Sequence, residues 1–449
     1  MNGENGDGRI IGIRHRVKKT RRGEPRPTQV AILREKRKPK TYLFRDDTAE
    51  LDWVREGYPV KYKPPTEHDD LNQFRSHHIT WRRLKEDEDP QSFPQNLVRQ
   101  VGKHWELATR IPVEFDGLQP GDTVAMILGG SGDRLAYALS RKADTIGATI
   151  LRIPPFVLKK QREAMRREID DDAITLAELA RDKPEFFYPV TPRDRKMIKL
   201  AFSFALLSDT MKDRIKCEQR LFQRTHGQIF LSEEGGYPEG TIEDAYRARK
   251  ANDARLKLHL DEEKEREREL AKAVGTTDVY QEVFVPIKGI GPRIAGRIIP
   301  IIGDIRRFPT PAKLKAYCGL HVRKGGKYED VPPEQQFPRK RRGETANWRE
   351  ILRQAFYIFV SLQLNRPQYE ETEWGKKFRE YKKTFRERHP RVIKVKKQDP
   401  ETGEMREVGI YTNAHIHRMA IWRTATKAAE YVWREWWRLE RRQRPGAAE

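Results

Sequence analysis

The sequence predicts a mixed fold of the type α/β plus α, in which an α/β domain precedes a longer helical region. Short apolar runs alternate with helical patterns over residues 9–190, as expected for strands joined by helices. Two long, charged helical stretches follow over 191–275. The rest of the chain is mostly helical in pattern and carries a large excess of basic residues.

The charge balance points to a polyanionic partner. The 449 residues include 90 Lys and Arg against 67 Asp and Glu, a net charge of +23. Nucleic acid is favoured over a membrane, because no apolar run approaches the roughly 20 residues needed to span one. The N-terminus lacks the apolar core of a signal peptide. With only two cysteines, neither a disulfide framework nor a cysteine zinc site is predicted, and a cytoplasmic location is expected.

Five short apolar runs in the first half are interpreted as strands. They are Arg9–Ile13, Thr28–Leu33, Thr41–Phe44, Thr123–Leu128 and Ala148–Ile153. Residues 55–120 separate the third run from the fourth and are interpreted as an insertion. Its histidines His68, His77 and His78 lack the partner spacing of a metal site, so we interpret them as surface histidines.

The stretch after the α/β domain predicts a helical arm. Helical periodicity indicates one helix over 192–225 and a second over 241–273, joined by a turn rich in Gly and Pro. Two such helices predict an antiparallel coiled-coil arm over 191–275. The charged second half of the second helix is interpreted as its solvated face. We expect the protein to form a homodimer through this arm.

A domain over 276–362 begins with the pattern of a helix–hairpin–helix, V-P-I-K-G-I-G-P-R-I-A-G-R-I-I-P-I-I-G-D over 285–304. Gly289 and Gly291 flank the tight turn between its two helices. Free backbone N–H groups there can bind one phosphate. Three basic side chains surround the turn: Lys288, Arg293 and Arg297. We interpret the motif as a binding site for a nucleic-acid backbone. The alternative is a packed helical hairpin that touches no nucleic acid.

The C-terminal region, 363–449, is interpreted as a basic RNA-binding extension. It contains a predicted β-hairpin and a last helix over 413–442 in which aromatic residues alternate with arginines. The aromatic residues suit base stacking, and equally a core-facing stripe beneath a solvated arginine surface. Further RNA contacts are assigned to Arg339, Lys340, Arg341 and Arg342 at a loop tip, and to Arg418, Arg423 and Arg434 on the last helix.

The order of these regions resembles the DEDD insertion-sequence transposases, bridge-RNA-guided recombinases with a serine in their C-terminal domain. The motifs that carry the resemblance are G-I-G, I-G-D-I-R-R-F and A-Y-C-G-L within 283–320, with R-R-G-E-T-A-N-W-R-E-I-L farther on. The architecture also resembles the Tas proteins of tandem interspaced guide RNA systems, in which a Nop-type RNA-binding region follows a coiled-coil arm and some members lack a nuclease.

These resemblances imply a ribonuclease-H-like (RuvC-like) fold for 9–190 and a transposase-like or Nop-like helix–hairpin–helix domain for 276–362. They also imply a guide RNA as cofactor and a DNA target as partner. The transposase chemistry would further need four carboxylates that hold two divalent metals, together with a nucleophilic serine.

Most of the matching catalytic positions carry other residues. Arg14 follows the first strand where an Asp is expected, and Gly129 follows the fourth where a Glu is expected. Asp172 fits the second residue of the family's helix-start pair, and Asp170 lies beside the position of the first. The serine is replaced in the stretch 323–326, R-K-G-G. Asp170 and Asp172 are therefore predicted to be residues of a degenerate catalytic site.

The sequence thus predicts a catalytically inactive relative of these transposases that binds a guide RNA and, through it, DNA, with no metal cofactor. One alternative is an active transposase whose Mg²⁺-binding carboxylates come from elsewhere, such as Asp122, Asp133 or Asp171. Another is a DNA-architectural protein without a guide, which predicts no discrete co-purifying RNA.

Overall fold

The computed structural model describes residues 8–17, 25–34, 37–233, 236–324, 335–338, 346–398 and 403–442. The chain divides into two compact units, Met1–Arg195 and Lys196–Glu449. Helices and several sheets together make a mixed α/β protein, as predicted. In the described part of the chain, the helices are too short or too polar to cross a bilayer. The finer division into an arm, a hairpin domain and a C-terminal extension stays a prediction.

The first unit is built on a mixed six-stranded sheet and a smaller second sheet. Its strands, in chain order, are β1 (Ile10–Arg14), β2 (Thr28–Arg34), β3 (Arg37–Phe44), β4 (Tyr58–Lys63), β5 (Thr80–Arg83), β6 (Val98–Val101), β7 (His104–Asp116), β8 (Thr123–Ile127), β9 (Thr149–Ile153) and β10 (Tyr188–Pro189). The large sheet has the order β10-β9-β8-β1-β2-β3. Strands β1, β8 and β9 run parallel, whereas β2 and β3 form an antiparallel meander with β1.

Helices cover both faces of the large sheet. They are α1 (Asp47–Val54), α2 (Asp133–Ile146), α3 (Pro155–Ala164) and α4 (Asp172–Asp182). Ile11 and Met126 are buried with Leu139 of α2 in the core on one face. Ala125 is buried with Leu176 of α4 in the core on the other face. This alternation along the strands is the period-2 pattern of a sheet buried on both sides.

Gly12 lets α4 cross directly over β1. A Cβ atom at this position would lie 1.9 Å from the carbonyl oxygen of Ala173, which is closer than any side chain tolerates. The glycine in the first strand therefore has a packing role. It brings the beginning of α4, with Asp172, next to the end of β1, where Arg14 lies.

The predicted insertion folds as the second sheet. Strands β4, β7 and β5 lie in that order, and β6 also pairs with β7. A small core of Ile79, Ala108 and Ile111, with Trp81 packed against it, supports this sheet. The segment is hard to assign from sequence because β4, β5 and β6 have only four to six residues each and charged residues interrupt all four strands.

The second unit is mainly helical. Its helices are α5, which begins before the unit boundary (Pro192–Phe230), α6 (Ile242–Asn252), α7 (Ala254–Gly275), α8 (Pro292–Ile302), α9 (Pro311–Tyr317), α10 (Glu350–Ile358), α11 (Glu373–Arg388) and α12 (Asn413–Arg442). Its strands are β11 (Arg323–Lys324), β12 (Gln335–Gln336), β13 (Ile393–Gln398) and β14 (Met405–Ile410). The predicted C-terminal hairpin and last helix are present, as β13–β14 and α12.

The arm differs from the prediction at one point. Helix α5 lies antiparallel to α6 and α7, with the Phe222 and Tyr246 rings 5.2 Å apart and Arg214 paired to Glu263. The prediction of a single helix over 241–273 is wrong, because the helix is interrupted at Asp253. The Asp253 carboxylate accepts a hydrogen bond from the backbone N–H of Leu256 at 2.8 Å and caps α7.

One hydrophobic core runs through the second unit from Met197 on α5 to Leu439 on α12. Trp436 is 1% exposed in it. The indole N–H groups of Trp433 and Trp437 donate to the carbonyl oxygen of Phe308 at 2.8 and 3.0 Å. The core-facing interpretation of this tryptophan stripe is therefore confirmed, and these rings are engaged in the fold.

The two cysteines differ in accessibility, which gives a direct check on the packing. Cys318 is fully buried, and burial raises the pKa of its thiol above the ordinary value. Cys217 lies half-buried on α5. We expect one thiol per chain to react with a chromogenic disulfide reagent in the native protein, and the second only in denaturant. Two rapidly reacting thiols would contradict this packing.

Candidate nucleic-acid interface

The two glycines of the predicted hairpin turn have different structural roles. A π-helical turn, Tyr280–Phe284, precedes the turn, and α8 follows it. Gly289 has φ +104°, and a Cβ atom there would lie 3.1 Å from Cε2 of Phe359. Gly291 has an ordinary φ of −80° and open space around it. Only Gly289 is required by backbone conformation and packing.

These different roles predict different stability effects. Gly289→Ala is expected to lower the free energy of unfolding by about 1–3 kcal/mol, because the left-handed backbone and the Phe359 contact both resist a Cβ atom. Gly291→Ala is the matched control, with an expected change within about 0.5 kcal/mol. Urea unfolding followed by circular dichroism measures both. Equal effects of the two substitutions would contradict this account of the turn.

Backbone N–H groups at this turn are less available than predicted. The N–H of Ile290 donates to the carbonyl of Ile287 at 3.0 Å. Those of Ile294 and Ala295 donate to the carbonyl of Gly291 at 3.1 and 3.0 Å. These three N–H groups are used within the fold, so a phosphate at this turn would be bound by other donors of the turn together with side-chain charge.

The cations around the turn are unequal. Lys288 is exposed, and Arg297 is half-buried on α8. Arg293 is 70% exposed, but its guanidinium pairs with Glu267 of α7. The predicted contact to a nucleic-acid backbone stays a prediction for all three, with Lys288 as its most accessible member.

A second basic surface lies between α11 and α12, and sequence analysis did not assign it. Helix α11 carries seven Lys or Arg and three Glu. A groove of about 360 Å³ is lined by the side chains of Arg379, Lys382, Lys383 and Arg386, together with Asn413 and Ile416. These four cations follow i, i+3, i+4 and i+7 spacing, which places them on one face of a helix. That spacing is visible in F-R-E-Y-K-K-T-F-R and could have identified the groove.

The predicted arginines of α12 lie on its exposed side. The Arg423 guanidinium is 5.7 Å from the ring centroid of Tyr381 on α11, so it lies beside the helix that forms the groove. Arg418 is exposed one turn closer to the groove. Arg434 is exposed farther along the helix and pairs with Glu435 at 3.1 Å. The loop-tip residues Arg339, Lys340, Arg341 and Arg342 fall outside the described residues.

The degenerate catalytic positions of the first unit come together around an arginine. Arg14, at the end of β1, is 6% exposed and donates to the carbonyl oxygen of Pro27 at 3.2 Å. Burial lowers the pKa of Arg14, and the nearby negative charges of Asp170 and Asp172 oppose that shift. The buried guanidinium of Arg14 therefore lies close to the carboxylates of Asp170 and Asp172.

Asp172 is neutralised by a second arginine. The Arg162 Nη1 donates to both carboxylate oxygens of Asp172, at 2.9 and 2.8 Å. Burial raises the pKa of Asp172, while the Arg162 charge acts in the opposite direction. Asp170 is largely exposed and pairs with Arg26 at 3.4 Å. A two-metal centre needs several convergent carboxylates, and this arginine-paired set does not fit one.

The carboxylates of the alternative, active transposase are engaged elsewhere. Asp122 precedes β8 and accepts hydrogen bonds from Arg9 at 2.9 and 2.7 Å. Asp133 pairs with Arg152 beyond the other end of β8. The five residues of β8 span about 17 Å, so these two groups cannot share a metal. Asp171 accepts the backbone N–H of Glu168 in a capping box.

Within the described residues, one group of three side chains has convergent metal-ligand atoms: Asp52, His77 and His78. The Nε2 atoms of both histidines lie 2.7 Å from Oδ2 of Asp52, and Arg75 pairs with its other oxygen. Burial raises the pKa of Asp52, but the hydrogen bonds from His78 and His77 outweigh it and bring the pKa below its ordinary value. The surface interpretation is wrong for His78, which is buried and whose Nε2–H group donates to Asp52.

Comparison with protein-family models gives a match in the second unit. Residues 281–325 match the family model described as Transposase IS116/IS110/IS902 family. The matched segment contains the turn, α8 and α9, and covers about a tenth of the chain. A search of curated proteins gives no match. The match supports a relation to this transposase family through the segment around α8.

Proposed function

We propose that this protein is a nucleic-acid-binding protein of transposase ancestry that carries a guide RNA and reaches a DNA target through it, without a nuclease of its own. The observation that carries the proposal is the arginine-paired state of the remaining catalytic-like carboxylates. Arg14 and Arg162 provide positive charge where the resemblance implies metal-bound carboxylates. The basic surfaces of the second unit provide the charge for a nucleic-acid backbone.

The sheet order of the first unit supports the ancestry. An antiparallel meander, β1 to β3, is continued on the other side of β1 by the parallel strands β8 and β9. We propose that this unit is a ribonuclease-H-like, RuvC-like domain that retains the scaffold and has lost the chemistry. The match over 281–325 supports a helix–hairpin–helix domain of the transposase type for the second unit.

A guide RNA is proposed because the basic surfaces of the described residues suit a nucleic-acid backbone and the resemblance implies RNA guidance. In guided systems base pairing reads the sequence, and the protein holds backbone and shape. Lys288 at the turn and the groove between α11 and α12 would hold phosphates. We also propose that the second unit is related to the Nop-type region of Tas proteins and that the protein is cytoplasmic.

The arm is proposed as the dimer contact. Its far end exposes large apolar side chains, with Phe230 61%, Leu231 89% and Tyr237 52% exposed. Leu258 on α7 is 72% exposed. Large apolar side chains exposed in this number suit a protein contact, and a second copy of the arm is the proposed partner.

The absence of nuclease activity is tested with purified protein and its co-purified nucleic acid. Supercoiled and single-stranded DNA are incubated with Mg²⁺ or Mn²⁺, for the wild-type chain and for Asp172→Ala. The proposal expects no metal-dependent cleavage by either protein. Cleavage by the wild type that Asp172→Ala abolishes would establish the active transposase instead. Cleavage that Asp172→Ala leaves unchanged is examined further with variants of Asp122, Asp133 and Asp171. Loss of cleavage in one of these variants would establish the alternative site, and unchanged cleavage in all three would indicate a contaminating nuclease.

A further inference from the structure

Three aromatic rings lie nearly parallel at the point where the β-hairpin meets α12. The ring centroids of His389 and Tyr411 are 3.8 Å apart, with an interplanar angle of 8°. Those of Tyr411 and His415 are 5.5 Å apart, with an angle of 5°. Both histidines are half-buried. Elsewhere on α11 and α12 the aromatic pairs are tilted or edge-on, as for Phe378 and His417 at 76°.

The backbone at the centre of this ring stack is held in an unfavourable conformation. Tyr411 has φ +56°, in the left-handed region that a bulky residue rarely adopts. Its N–H donates to Nδ1 of His415 at 3.0 Å, and its carbonyl accepts from Arg386 at 3.2 Å. Such strain persists where surrounding contacts enforce it, and it concentrates at functional sites. Here the enforced conformation aligns the Tyr411 ring with the two histidine rings.

The ring stack adjoins the basic groove through Arg386. This guanidinium lines the groove, and it also donates to the carbonyl oxygens of His389 at 3.4 Å and Tyr411. Among the residues that the structure describes, the groove lining contains four cations and no carboxylate. Lys382 and Lys383 are the exposed cations of this lining. The ring stack therefore lies beside a groove that suits a phosphate, and Arg386 contacts both.

We propose that this corner of the second unit binds one unpaired nucleotide of an RNA strand, with its base stacked on the half-buried ring of His389 and its phosphate in the groove beside Lys382 and Lys383. This site rests on the proposed RNA-binding function and names where an unpaired nucleotide is held. Base–aromatic stacking is tolerant of sequence and contributes a substantial part of single-strand affinity. The site thus fixes a looped or terminal nucleotide while base pairing elsewhere reads the target.

The test compares a fluorescent 12-nucleotide uridine RNA with an abasic ribose-phosphate oligomer of the same length, by anisotropy at 0.15 M salt. Wild-type protein is expected to bind the uridine RNA at least tenfold more tightly than the abasic oligomer. His389→Ala is expected to lower affinity for the uridine RNA about tenfold and to leave the abasic oligomer unchanged. His389→Phe keeps a flat ring and is expected to retain the preference. Lys382→Gln with Lys383→Gln should weaken both ligands equally.

The outcomes separate this site from the wider proposal. Unchanged uridine affinity in His389→Ala, or an equal loss for both ligands, would overturn the stacking site while RNA binding stands. Failure of the wild type to bind either ligand would overturn the RNA-binding function and the site with it. Should His389→Ala not fold, 2-aminopurine placed at each position of the RNA decides the matter in wild-type protein. One strongly quenched position supports the site, and unquenched fluorescence at every position overturns it.

Discussion

Arg162→Met is expected to destabilise the first unit by about 3 kcal/mol at neutral pH, because it leaves the buried Asp172 carboxylate without its hydrogen-bonded counter-charge. Asp172 is 3% exposed, and Arg162 binds both of its oxygens. Without Arg162 the pKa of Asp172 should rise further above the unfolded value. The loss is then largest above that raised pKa, and it shrinks as pH falls and the carboxyl becomes neutral.

Native-state hydrogen exchange of α4, measured at pH 7 and pH 4.5, reports this loss locally. Lys159→Met is the matched control, because it removes one cation from the same helix at a site that is 67% exposed and pairs with Glu163 at 3.7 Å. The control is expected to change the opening free energy by less than about 0.5 kcal/mol. Equal protection of α4 in Arg162→Met and wild type would show that Asp172 does not depend on this pair.

Neutralising the α11–α12 surface is expected to produce the largest loss of nucleic-acid affinity. The variant replaces Lys382, Lys383, Arg418 and Arg423 with Gln, all four being exposed. Each phosphate contact contributes about 0.7 to the slope of log affinity against log salt for a single strand. Four lost contacts predict a slope smaller by about 3 and an affinity lower by about 100-fold at 0.15 M salt.

The matched control makes the same change in net charge on the arm. It replaces Lys212, Lys216, Lys264 and Arg268 with Gln; these side chains are 59–74% exposed and each pairs with an acidic residue three positions earlier. We expect less than a threefold loss for the control, because its four cations lie on the arm and each pairs with a carboxylate at 3.3 Å or less. In the α11–α12 variant, Lys383 lies farther from its neighbour Glu387, at 3.9 Å. Similar losses in both variants would mean that total charge, and no particular surface, governs binding. Titrations of a labelled single strand at several salt concentrations distinguish these results.

Local patterns in the sequence predicted the helices and strands well where the burial of apolar side chains alone decides the structure. The apolar runs of β1, β8 and β9 and the stripe of α12 are buried as their periodicity indicates. The break between α6 and α7 at Asp253 was missed because the helical periodicity continues through this residue. The only local signal is a single carboxylate, that of Asp253, which caps α7. The sheet of the insertion was missed because its core is formed by a few residues far apart in sequence, such as Ile79 and Ile111.

The candidate sites depended on contacts between distant segments, which a linear pattern does not contain. The replacement of an expected Asp by Arg14 was visible in sequence, but the pairing of Asp172 with Arg162 required the fold. The ring stack joins His389 to Tyr411 across the β-hairpin, 22 positions apart, and depends on a backbone conformation that Tyr rarely adopts. The cations of α11 were within reach of sequence analysis, since their helical spacing already places them on one face.

The most direct measurement is to purify the protein from its own host and sequence the nucleic acid bound to it. We expect discrete short RNAs from one locus, retained by the wild type and reduced in the variant of Lys382, Lys383, Arg418 and Arg423. These RNAs would then supply the guide for a DNA-binding test. A heterogeneous mixture of unrelated RNA and DNA would contradict the guided function, leaving a basic protein of transposase ancestry that binds nucleic acid without a guide.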